Sequence, residues 1–115
     1  MTCFRVDGKL FLVYRAQLPS LGKCTLRLGT YGIERLMIAL YQGDIRLFDI
    51  SSNVLSSRYK LQPYEFCFDS DNLSHIEDEL YALNIFQRTG KIMIEDGKFY
   101  PVWELKLSNL LAVKA

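Results

Sequence analysis

No glycine-rich phosphate loop, no Ser-His-Asp order and no cluster with metal-ligand spacing occurs in this chain. Its only histidine is His75, and its three cysteines, Cys3, Cys24 and Cys67, lie too far apart for a CxxC or zinc pattern. The longest uninterrupted apolar run, Leu36 to Tyr41, falls far short of the roughly 18 residues a membrane span needs. Arg5, Asp7 and Lys9 interrupt Met1 to Leu10, which excludes a secretory core there. A formal charge of +1 excludes both a polybasic coat for nucleic acid and an acidic mimic of it. An odd cysteine count without a signal peptide fits the cytoplasm, where each thiol serves as a small buried hydrophobe. No metal, cofactor or membrane is implied.

What is present is an ordinary globular balance. Of 115 residues, half are apolar, 13% aromatic and 23% charged, which accommodates one domain over 1–115 and excludes disorder. Phe4 to Val6, the turn dipeptide Asp7-Gly8 and Lys9 to Leu18 predict a hairpin, because both turn positions favour positive φ. Lys23 to Leu28 alternates, with Cys24, Leu26 and Leu28 on one face and Lys23, Thr25 and Arg27 on the other. Ile33, Leu36, Met37, Leu40 and Tyr41 then fall at helical spacing, with Gly43 placed as a C-cap. Ile45 to Ile50 reads as a strand, Ser51 to Lys60 as a serine-rich loop, and Tyr64 to Asp69 as a further strand.

Ser74-His75-Ile76-Glu77 matches a capping box, and Leu73, Ile76, Leu80 and Leu83 form the stripe of the helix it would open. Gly90 ends that helix. A second hairpin follows, Lys91 to Glu95, Asp96-Gly97 and Lys98 to Leu107, in which Pro101 marks an edge strand or a bulge. The expected class is α+β: a mostly antiparallel sheet in the order β-β-β-α-β-β-α-β-β, with two helices.

Short motifs add little chemistry. Leu73 to Leu107 resembles the last helix and wing of winged-helix DNA-binding domains. Glu77-Asp78-Glu79 departs from that pattern, since it stands where a recognition helix presents bases or amides, and strands precede it where such a domain needs two helices. Asp49-Ile50-Ser51 resembles part of the motif by which PilZ domains bind cyclic di-GMP. Val54 stands where that motif has glycine, and no paired arginines precede it. Asp69-Ser70-Asp71-Asn72 opens like a calcium loop, but Leu80 stands where the bidentate glutamate belongs, so helix capping explains it better. Cys67 and His75 are the only candidate nucleophile and base, with no evident group to orient them. The chain therefore reads as a non-enzyme.

Charge is the most informative feature. Residues 1–60 carry a net +5 and residues 61–115 a net −4. Two faces of opposite sign follow if the halves occupy different surfaces. The expected function is a non-catalytic protein-binding module or small inhibitor, of the kind found among phage-encoded anti-defence proteins, immunity proteins and adaptors. Tyr59, Tyr64 and Trp103, with Glu77 and Asp78, are the candidate protein interface, since tyrosine and tryptophan anchor interfaces. The alternative is nucleic-acid binding through Arg15, Lys23, Arg27 and Arg46. The charge split also permits a homodimer.

Overall fold

The computed structural model describes residues 2–6, 9–30, 36–52, 61–62 and 64–106, with the backbone alone for 2–6, 9–11 and 30. Five strands, β1 (Thr2–Val6), β2 (Lys9–Leu18), β3 (Gly22–Thr30), β4 (Leu36–Gln42) and β5 (Ile45–Asp49), form an antiparallel meander in chain order. A second antiparallel sheet has the order β6-β7-β9-β8, built from β6 (Ser51–Ser52), β7 (Glu65–Phe68), β8 (Phe86–Glu95) and β9 (Lys98–Leu105). Two short helices, α1 (Ser70–Leu73) and α2 (Glu77–Tyr81), join β7 to β8. The chain is a single α+β domain.

Alternation decides which face of each sheet is buried. In the first sheet Tyr14, Leu18, Cys24, Leu26, Leu28, Ile38 and Leu40 turn inward; in the second, Phe66, Phe68, Phe86, Trp103 and Leu105 meet them. Leu73, Ile76 and Leu80 of the helical segment complete one shared core. The chain crosses between sheets at residues 50–51. The Ile50 amide donates to the Ile38 carbonyl at 2.9 Å, and the Ser51 hydroxyl then accepts the Ile38 amide at 2.9 Å. A buried serine thus replaces a ladder bond at the corner, leaving no orphaned amide.

The helix expected over residues 33–41 is instead β4. Leu36 to Tyr41 is apolar at every position, so helical and strand periods fit it equally. Pairing decided the outcome: β4 lies between β3 and β5, burying Ile38 and Leu40 on one side and Ala39 on the other. Gly43, expected as a helix cap, has φ +61° in the Gly43-Asp44 turn joining β4 to β5. A glycine at the first central position with positive φ suits a type II′ hairpin.

The capping box also does not form, for α2 has Ile76 at its N-cap with no side-chain cap bond. Residues 74–76 turn between two short helices, and Leu73, Ile76 and Leu80 all reach the core at 0–1% exposure. The turn of the second hairpin matches expectation, but the helix does not reach Gly90, because Phe86 to Arg88 pair with Trp103 to Leu105 and begin β8. Asp96 and Gly97 have φ of +52° and +76°, as a type I′ turn requires. The Asp7-Gly8 turn lies outside the described residues, although Val6 pairs with Lys9 across it.

Pro101 does not mark an edge, since β9 lies between β7 and β8. Two circumstances accommodate it. The ladder to β7 ends at Cys67–Val102, and the register with β8 jumps from Arg88–Trp103 to Ile92–Pro101. The bulge expected near Pro101 is carried by the partner strand, where Gly90 sits at φ +82° and the Thr89 hydroxyl donates to the Val102 carbonyl at 2.7 Å.

Candidate functional site

Among the described residues the basic candidates lie in the first sheet, and Glu77 and Asp78 lie in the helical segment that follows β7. Residues up to Asp49 build the first sheet, and residues from Ser51 onward build the second with its helices. Arg15, Lys23, Arg27 and Arg46 all lie on the outer face of the first sheet, because each alternates with inward residues or pairs with one that does. Arg15, Thr25, Tyr41 and Arg46 occupy successive register positions across β2 to β5, and Arg27 lies between Val13 and Ala39.

Two of these cations have local partners. Arg46 binds Asp49, a hydrogen bond that pushes the guanidinium pKa up. Arg27 lies 3.8 Å over the Tyr41 ring, donates to the Gly43 carbonyl and pairs with Asp44 at 3.8 Å. Arg15 and Lys23 are exposed and have no ion pair among the described residues. They border an open depression of about 580 Å³ whose rim also includes Gln17, Thr25 and Gly43. A small anion or a backbone phosphate fits such a rim by charge, with no enclosed cavity to impose shape.

The aromatic candidates separate. Tyr59 lies outside the described residues. Tyr64 is half-exposed at the start of β7, with φ +70° in the left-handed region that a tyrosine rarely adopts, and its carbonyl accepts the Leu105 amide at 2.8 Å. Trp103 is not at the surface. It is 1% exposed, stacks on Phe68 at 4.0 Å and 2°, and meets Phe66, Tyr81 and Phe86. Because β9 is interior to its sheet and Trp103 faces the shared core, the indole is structural.

Glu77 and Asp78 lie 3.1 and 4.0 Å from the Arg88 guanidinium, which also covers the Tyr81 ring at 4.0 Å. These acids form a partly neutralised cluster on α2. Among the described residues no hydrogen bond or ion pair joins them to Tyr64.

Cys67 and His75 fall on different sides of the second sheet. Cys67 is 1% exposed in a small cluster with Met93 and Val102, its sulfur 3.3 Å from that of Met93. His75 meets Phe48, which packs against the main core. Cys24 is buried, and burial pushes its thiol up, away from the reactive thiolate. Among the described residues no three His, Cys, Asp or Glu side chains gather as a metal site. Asp49 and Ser51, quoted above for the PilZ resemblance, bind Arg46 and the Ile38 amide instead.

A surface that sequence reasoning missed lies at the far end of the β8–β9 hairpin. Ile92, Ile94 and Phe99 are 53%, 49% and 63% exposed. The pairs Ile92–Pro101 and Ile94–Phe99 put these side chains on one face, while Met93 and Tyr100 face the small cluster behind. Strand length carried the signal. β8 has ten residues and β9 eight, but β7 has only four. The distal half of the hairpin runs past its neighbour, and its apolar side chains stay exposed on that face.

Comparison with protein-family models, curated proteins and solved structures finds no match to this chain. No helix among the described residues is long and apolar enough to cross a membrane.

Proposed function

We propose that this chain is a non-catalytic protein-binding module, and that it holds its partner with the distal β8–β9 hairpin. The observation that carries this reading is the apolar face of Ile92, Ile94 and Phe99, 49–63% exposed on one hairpin. Apolar side chains gathered on one exposed surface are what interfaces recruit, whereas isolated ones are commonplace. A buried Cys24 thiol outside any disulfide suits a reducing compartment such as the cytoplasm. A small inhibitor or adaptor that acts by occupying a surface has this profile.

The test is capture on immobilised full-length chain after nuclease treatment. A protein retained by wild type and lost with Phe99→Asp supports the reading. Equal retention by both, or capture only of nucleic acid, overturns it.

A second reading, nucleic-acid binding through Arg15, Lys23, Arg27 and Arg46, is favoured by one observation: all four share the outer face of the first sheet. Counterion release would make such binding fall steeply with salt, and Arg15→Glu with Lys23→Glu would abolish it. Salt-independent or absent binding to single strands and duplexes removes it.

A further inference from the structure

Resting on the protein-binding reading, we infer that the partner of the distal hairpin is a second copy of this chain, joined edge to edge along β8 about a two-fold axis at Met93. β8 is the outermost strand of its sheet. Its proximal half is occupied, because the Arg88 amide donates to the Tyr81 hydroxyl at 3.4 Å and the Arg88 side chain binds Glu77. The bulge over residues 89–91 then separates this half from the open segment, Ile92 to Glu95.

Hairpin geometry determines which backbone groups of that segment face outward. The two-residue turn makes Glu95–Lys98 the closing hydrogen-bonded pair, so Met93–Tyr100 is the next and Ile92 and Ile94 lie between. Ile92 and Ile94 therefore direct their N–H and C=O groups to the free edge. An antiparallel partner must pair through these two residues.

A two-fold axis allows three such registers, and the side chains distinguish them. Centring on Ile92 sets Lys91 opposite Met93 of the second copy, and centring on Ile94 sets Met93 opposite Glu95. Centring on Met93 sets Ile92 opposite Ile94 and Lys91 opposite Glu95, each twice by symmetry. Both strands then exchange all four outward backbone hydrogen bonds. Ile92, Ile94 and Phe99 of both copies make one continuous apolar surface, with Lys91–Glu95 pairs on the reverse. Glu95 has no ion pair among the described residues. Lys91 already holds Glu65 at 2.9 Å, and an ammonium with three donors can take a second carboxylate. Such self-complementarity is what a two-fold interface needs, and it continues the four-stranded sheet of one copy into that of the other.

Sedimentation equilibrium of the full chain, combined with amide exchange, tests this. The wild type is expected to rise with concentration towards twice the monomer mass, and the Ile92 and Ile94 amides to gain protection in step. Ile94→Lys and Glu95→Lys should each weaken association at least about tenfold while leaving the urea midpoint near wild type. Ile45→Lys, at an exposed isoleucine of β5, should leave association unchanged. A wild type that stays monomeric to ~1 mM, or a dimer indifferent to both β8 variants, overturns the inference. Failure of the broader reading is distinct: it shows as unchanged capture of another protein by Phe99→Asp, whatever the mass of the free chain.

Discussion

Ser20 and Glu79, fifty-nine positions apart, lock the first sheet to α2. The Ser20 amide donates to one carboxylate oxygen at 2.8 Å and its hydroxyl to the other at 2.7 Å. These bonds to the ionised form hold the Glu79 carboxyl below its usual range. A depressed folded-state pKa adds stability that is complete above the unfolded value and disappears as pH falls through the folded one. Ser20→Ala should therefore raise the Glu79 pKa and narrow the acid side of the stability profile. NMR titration and urea midpoints across the carboxylate range check both.

Trp103→Ala removes the ring that Phe66, Phe68, Tyr81 and Phe86 enclose. The expected loss is about 3–5 kcal/mol, from transfer and cavity terms together, measured by urea denaturation. Any binding defect of this variant would follow from unfolding. Tyr64→Asn provides the contrast. The residue is half-exposed at φ +70°, and asparagine tolerates that region, so stability should stay level or rise by up to ~1 kcal/mol. A large loss would show that the tyrosine ring packs more than its exposure indicates.

Glu65 is 5% exposed, accepts the Gln62 amide at 2.7 Å and holds Lys91. Lys91→Met should destabilise by about 1–3 kcal/mol, because a buried carboxylate loses its counter-charge while keeping one amide. Lys91 is more than half exposed, so solvent screening holds the effect to the lower part of that range. Chemical denaturation at neutral pH measures it.

Gly97→Ala places a methyl group in open space but at φ +76°. The cost should be backbone strain alone, about 1 kcal/mol, with the hairpin retained. A thermal scan with hairpin amide shifts distinguishes strain from loss of the turn.

Local chemistry made much of the fold legible. The alternation of Lys23 to Leu28 and the Asp96-Gly97 turn depend on period and turn type, which neighbouring residues dictate, and both appear as read. The common face of Arg15, Lys23 and Arg27 was legible for the same reason, whereas Arg46 joins it only through β4, whose pairing was not. Leu36 to Tyr41 was not legible, because a wholly apolar run satisfies two periods and only the hydrogen bonds of β3 and β5 choose between them. Nor was Trp103, whose position between β7 and β8 depends on which distant strands pair. The open edge of β8 and the bare face of Ile92, Ile94 and Phe99 arise from strands of unequal length lying side by side. Sequence alone determined the α+β class, the turns and the side of each strand that is apolar. Strand order, and with it which apolar side stays uncovered, was decided only when residues far apart in the chain competed for the same backbone partners.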